Sequence, residues 1–210
     1  MISTPHKFMI TVCKLSNKPA CIVNPAEVEL QKYLLAGACW VDVTINKPED
    51  VRVLANVFNF HQLSIDDCLD NIHYPKVEQF PDYLFIILHT VEVAPAAGKF
   101  STKEADFFLT NKHLVTVHRG ESKRLLDIKE RLIKEAFPTS LIPDLFFQLI
   151  ASKYTDEYFP VLEALDKEID GIEDLVLKGQ TPSQGDSNTL TSRILRTKKR
   201  ISMLKRLLTP

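Results

Sequence analysis

Hydrophobic and polar positions change their period several times along this chain. The runs "HKFMITVCK" (6–14) and "ACIVN" (20–24) are rich in β-branched residues and predict two strands, with Ser16–Asn17 as the turn between them. Asn24, Pro25 and Glu27 are suited to the cap, first and third positions of a helix, and Gly37 is placed to end it. "ACWVDVT" (38–44) predicts a buried strand. Pro48 opens a helical stretch with Val51, Leu54, Ala55 and Phe58 on one face. A short helix follows from Ser64 to about Asn71. "KVEQF" (76–80) and "YLFIILHTVEV" (83–93) predict strands separated by Pro81–Asp82. "EADFFLT" (104–110) and "HLVTVHR" (113–119) predict a hairpin across Asn111–Lys112. Residues 121–137 have helical period, with Leu125, Ile128, Leu132 and Ile133 inward. Helices alternate with strands early and strands cluster later, so residues 1–140 predict an α/β or α+β domain, a mixed sheet sandwiched by helices.

After Pro138 no strand pattern recurs. Leu162, Leu165, Ile169, Ile172 and Val176 step by three and four, as do Leu190, Ile194, Thr197, Ile201, Leu204 and Leu208. Two such seams around the loop at 179–187 predict a long helical hairpin. Residues 141–185 form its first arm and 186–210 the start of its second helix, which is still in phase at Thr209–Pro210. We therefore expect the natural helix to run on.

Composition is that of an ordinary globular protein: 45% hydrophobic, 25% charged, net charge −1. That balance points to neither nucleic acid nor an anionic membrane. No apolar run approaches the ~18 residues of a membrane helix, and the N-terminus lacks the apolar core of a signal peptide. The four cysteines form no C-x-x-C pair and are expected to be small buried thiols of a reducing compartment. Charge is segregated, however. Residues 156–174 carry eight acids against Lys167, whereas residues 193–206 carry seven bases and no acid. The two runs can flank the seam of an antiparallel pair, and the acidic arm can also concentrate cations.

The chemistry concentrates in "SIDDCLD" (64–70). Asp66 and Asp67 are adjacent, and Asp70 follows one turn on. One account is capping: Ser64 as N-cap, Asp67 three residues later, acids at the positive end of a helix dipole. The other is a cation, because two or three acids in one turn repel each other, and Mg²⁺ is commonly held by one or two carboxylates while it keeps several waters. Catalysis has little support, since the chain lacks G-x-G-x-x-G, Walker A, G-x-S-x-G and H-E-x-x-H motifs. His61 and His73 flank the acids, and His73 is a further transition-metal candidate. His89, His113 and His118 fall in strands.

The order "WVDVT", "VFNFHQLSIDDCLD", "PKVEQFPDYLFIIL", "LVTVH" and "DEYFPVLEALDKEIDGIE" resembles the cytoplasmic part of the CorA family of divalent-cation transporters. The likeness runs from about Trp40 onward; residues 1–39 share only the strand–helix outline. The resemblance implies a non-enzymatic sensing domain on the cytoplasmic face of the inner membrane. It implies a homopentamer in the full-length protein, with residues 186–210 as the start of a stalk helix leading to membrane helices beyond this chain. It also implies that Mg²⁺, with Co²⁺ or Zn²⁺ as alternatives, binds between neighbouring domains and holds the pore shut. The matching acid is Asp67, with Asp66 beside it and Asp70 near; its partner acid would come from a neighbour's stalk beyond Pro210. A second cation position falls on Ser152, which leaves Asp156, one turn later, as candidate. Gln62 replaces the common proline of His-Pro-Leu, and Asp66 the common glutamate. The competing readings are the equivalent domain of a ZntB-like zinc transporter, or a soluble α/β enzyme or interaction module. We expect the chain by itself to be monomeric, with no nucleic-acid partner.

Overall fold

All seven residues of the strand Cys39–Ile45 are buried, so a structural layer covers both faces of the sheet at this point. A computed structural model describes residues 9–16, 19–70, 74–94, 99–134, 142–177 and 184–208, by backbone alone at 92–94, 99–100 and 184–189. The strands are β1 (Met9–Lys14), β2 (Cys21–Val23), β3 (Cys39–Ile45), β4 (Lys76–Gln79), β5 (Tyr83–Ala94), β6 (Lys99–Thr110) and β7 (His113–Arg119). They form one sheet in the order β2-β1-β3-β7-β6-β5-β4. β3 and β7 are parallel, whereas β1–β2, β1–β3, β4–β5 and β6–β7 are antiparallel. The predicted mixed sheet with helices is therefore the observed fold.

Alternation in β3 assigns the two faces. Cys39, Val41, Val43 and Ile45 join Ile10, Val12, Phe85, Ile87, Phe108, Val115 and Val117 in one core. That core is closed by α1 (Glu27–Leu35), a 3₁₀ turn (Pro48–Val51), α2 (Arg52–Asn56) and α3 (Gln62–Asp67), through Leu30, Val51, Leu54 and Ile65. Trp40, Asp42 and Thr44 take the opposite face. There Trp40 meets Phe146 of α5 (Pro143–Asp156), with ring centroids 5.1 Å apart. Lys129 of α4 (Lys123–Lys134) reaches the same face, and its Nζ lies 3.4 Å from Asp42 Oδ2. Asp42 also accepts from Thr116 Oγ1 at 2.6 Å and lies 3.3 Å from His118 Nε2. Burial opposes ionisation of Asp42, but these partners outweigh it and hold its carboxyl below the usual carboxylate value.

Several local expectations change. α1 is capped at Ala26, not Asn24. Asn24 takes a positive φ of 48°, its Oδ1 accepts from Ile10 N–H at 2.9 Å, and its own N–H donates to Ile10 O. It closes the β1–β2 ladder, a use that outcompetes the cap. The helix predicted after Pro48 splits into the 3₁₀ turn and α2, which leaves Ala55 exposed and buries Phe60. Ile133 is exposed at the end of α4. Cys13 and Cys21 are a disulfide, not free thiols, because the β1–β2 register sets them opposite each other. Cys39 and Cys68 are free and buried, as expected. The Ser16–Asn17 turn, the end of the 121–137 helix and most of the 179–187 loop lie partly or wholly outside the described residues.

Contacts divide the chain into two units, residues 1–88 with 104–153, and residues 89–103 with 154–210. The second contains α6 (Tyr158–Leu177) and α7 (Gln184–Leu208). Val161, Leu165 and Leu204 are buried between them with Tyr158 and Val91. Glu168 of α6 receives Arg196 Nη2 at 3.1 Å and Arg200 Nη1. Leu165 with Leu204 and Glu168 with Arg200 and Arg196 run in opposite chain directions, so the pair is antiparallel, as the charge pattern predicts. The seam is narrower than the heptads suggest: Leu162, Val176, Ile194, Ile201 and Leu208 are all more than a third exposed.

Candidate functional site

The site is built on α3, and the tertiary structure moves the start of that helix. His61, not Ser64, is the N-cap, and its side chain accepts from Leu63 N–H. Ser64 lies inside the helix and is fully buried; its Oγ donates to His61 O at 2.8 Å and sits 2.8 Å from Tyr83 Oη. Tyr83 also accepts from His61 N–H at 2.9 Å and stacks on Phe80, with centroids 4.7 Å apart. Phe60 stacks on Phe108 beneath the helix entry. These contacts fix α3 against β5.

Starting at His61 puts Asp66 and Asp67 in the last turn of α3, and no acid lies in its first. The capping account of the two acids therefore fails. Carboxylates at the carbonyl end of a helix are disfavoured by its dipole, so this position needs compensation. Two bases supply it. Arg119, at the end of β7, donates from Nη2 to Cys68 O and Leu69 O, the carbonyls that follow the helix. Lys76 of β4 places Nζ 2.6 Å from Asp67 Oδ2 and 2.9 Å from Glu78 Oε1. Its burial lowers the ammonium's proton affinity, but the hydrogen bonds to Asp67 and Glu78 outweigh this and raise the Lys76 pKa.

The three acids of the 64–70 motif are not equivalent. Asp66 is exposed, and its Oδ1 accepts from Gln62 Nε2 at 2.7 Å, one turn back. Asp67 is half-buried and faces Lys76. Asp70 is exposed beyond the helix, where its N–H donates to the carbonyls of Asp66 and Asp67. Asp156 belongs to the second unit, exposed at the end of α5. His73 lies outside the described residues.

Asp106 is an additional acid near Cys68 that the sequence did not single out. It is buried in β6; burial first, then the charge of Glu104, pushes its carboxyl well above the usual range and favours the protonated form. Burial and Asp106 likewise push the Cys68 thiol up, and Cys68 Sγ donates to Ser64 O at 3.3 Å. Thiolate chemistry is thereby disfavoured, and the accessible donors are carboxylate oxygens. Among the described residues no group of three or more His, Cys, Asp or Glu is placed to hold a metal ion. What this chain offers is one or two carboxylates, which suits a cation that keeps its waters, such as Mg²⁺, better than a thiolate- or imidazole-seeking metal. Lys76, Arg119, Gln62 and Tyr83 were missed as site residues. For Lys76 there was a signal, the spacing of two between Lys76 and Glu78 in a strand, which puts both on one face.

Comparison with known proteins agrees with this architecture. The family described as CorA-like Mg²⁺ transporter protein matches residues 36–210. The cobalt/magnesium transport protein CorA of Thermotoga maritima is 27% identical over 142 residues, covering 66% of this chain and 40% of that protein. The soluble domain of CorA from Methanocaldococcus jannaschii superposes with a TM-score of 0.61 at 19% identity, over 93% of this chain and 72% of that one. The ZntB cytoplasmic domain from Vibrio parahaemolyticus gives 0.65 at 14% identity, over 91% and 73%. At these identities the structural matches speak to the fold alone. The chain spans about half of the length of the curated relatives it matches, or less. No helix among the described residues is long and apolar enough to cross a membrane.

Proposed function

Because the chain belongs to the CorA-like Mg²⁺ transporter protein family, a family of transporters and not of enzymes, we propose that it is the cation-sensing, gating part of a CorA-type Mg²⁺/Co²⁺ transport protein. In this reading it works at the cytoplasmic face of the inner membrane, within a homopentamer whose membrane helices lie beyond these residues. The observation that carries the proposal is the position of Asp67: half-buried, in the unfavourable last turn of α3, with its charge met by the Lys76 ammonium from a different element. Lys76 answers the charge of Asp67 in this chain, and an arriving cation can answer it in its place. Asp67 with Asp66 is the proposed Mg²⁺ contact, completed by a carboxylate from a neighbouring copy and by water. Asp70 lies near enough in sequence to add field, and Asp156 is a separate candidate in the second unit. Binding between copies offsets repulsion among their acids and so favours the closed assembly. The oxygen-only donor set favours Mg²⁺ over the zinc of the ZntB-like alternative.

The test is influx through the intact transport protein that carries this domain, measured against internal Mg²⁺. With Asp67→Asn, influx is expected to persist at Mg²⁺ levels that silence the wild type. Superimposable inhibition curves would remove Asp67 from the sensor.

A further inference from the structure

We propose that the Lys76 ammonium is a built-in competitor for the cation at Asp67, occupying the carboxylate in the cation-free state and stepping back to Glu78 when the cation binds. The inference rests on the reading of Asp67 as a cation contact and adds a residue that sets its threshold.

Three observations carry it. First, Lys76 Nζ lies 2.6 Å from Asp67 Oδ2, so a cation contacting that oxygen must displace or crowd the ammonium. Two positive charges at one carboxylate oxygen repel, and the pair is not fully screened, because the side chains of Lys76 and Asp67 are only 30% and 23% exposed. Second, the ammonium has somewhere to go. Glu78 Oε1 is already 2.9 Å away, two residues along β4 and therefore on the same strand face. The Phe85 ring, opposite Glu78 in the β4–β5 register, lies 5.7 Å from Nζ and offers a cation–π surface. Leaving Asp67 does not strand Lys76 without a countercharge. Third, the ammonium answers the dipole problem of α3. With Asp67 in the last helical turn, the cation-free helix needs a positive charge there, and Lys76 provides it from a different element. Occupancy by Lys76 keeps Asp67 oriented and raises the cation concentration needed to capture it.

The rival role for the same contact is a tether that holds Asp67 in place. The two roles predict opposite signs. If Lys76 competes, removing its charge tightens binding; if it only positions Asp67, removing it loosens binding or leaves it unchanged.

The experiment is an NMR titration of this chain with MgCl₂ at constant ionic strength, for wild type, Lys76→Gln, Lys76→Arg and Asp67→Asn. It follows the Asp67 amide and the Lys76 side-chain Cε resonance. Competition predicts a Kd lowered roughly two- to fivefold in Lys76→Gln, the range set by an ion pair of this exposure, and near the wild-type value in Lys76→Arg. It also predicts a saturable shift of Lys76 Cε in the wild type, tracking Asp67 and absent in Asp67→Asn. That wild-type signal does not depend on whether any Lys76 variant folds. A Kd in Lys76→Gln equal to or above the wild-type value, or a Lys76 signal unmoved while Asp67 saturates, overturns the competition and leaves the cation site standing. No saturable binding at Asp67 in any form overturns the competition as a property of this chain, while the influx test with Asp67→Asn decides the cation reading separately.

Discussion

The hydroxyls of Ser64 and Tyr83 lie 2.8 Å apart beneath α3, and Tyr83 also accepts from His61 N–H at 2.9 Å. One phenol thus anchors both the cap and the first turn of the helix that carries Asp66 and Asp67. Tyr83→Phe keeps the ring stacked on Phe80 and removes only the hydroxyl. Leaving the buried partners without it should cost about 1–3 kcal/mol, read as a lower urea midpoint with unchanged slope. An unchanged midpoint would mean that water replaces the phenol without loss.

Asp42 supplies the pH dependence. Its carboxyl titrates below the ordinary Asp value in the folded chain, so its contribution is present above about pH 3.9 and is lost as pH falls through that value toward the lower folded one. Asp42→Asn leaves the largely buried Lys129 ammonium without its carboxylate and should cost about 3 kcal/mol at pH 6. The difference between wild type and variant should shrink toward pH 3. Equal differences at both pH values would argue that packing, not charge, sets the cost.

Glu168 joins α6 to α7 through Arg196 and Arg200. A double-mutant cycle with Glu168→Gln and Arg200→Gln should return a coupling of about 1 kcal/mol. It should weaken in high salt only as far as the partial burial of the pair allows. A coupling of zero would reduce the segregated charges to a solvated surface.

The Cys13–Cys21 disulfide closes a separation of eight residues. The chain-entropy relation gives about 2.5 kcal/mol for a loop of that size. Reductant should therefore lower the thermal midpoint of the wild type, and Cys21→Ser should be lower still without reductant and insensitive to it. A wild type indifferent to reductant would show that the β1–β2 ladder, including Asn24 with Ile10, suffices to hold the edge.

Asp67→Asn should leave the fold intact, with a melting midpoint close to that of the wild type. The ion pair it removes is partly exposed and worth about 1 kcal/mol or less, and the exchange also relieves an acid at the helix C-terminus. A large loss of stability would make Asp67 a structural residue first.

The sequence by itself determined the sheet-with-helices class, the buried strand at 38–44, the strand pair across Asn111–Lys112, and the helical pair with opposed charges. It also located the acidic motif on a short helix. These follow from local periodicity: a residue's burial on a strand or helix is written in its neighbours two, three or four positions away. Tertiary structure decided the rest. Ser64 looks like a cap in isolation, but burial beside Tyr83 draws it into the helix and passes the cap to His61, which turns Asp66 and Asp67 from first-turn acids into last-turn acids. Asn24 leaves its expected cap to bond Ile10, and strand register alone brings Cys13 to Cys21. Lys76 reaches Asp67 from an edge strand nine residues later. Each of these outcomes is a competition between a local preference of a fraction of a kcal/mol to about 1 kcal/mol and contacts made only when distant segments pack. Burial makes an unpaired polar group the costlier error, so the packed partner wins.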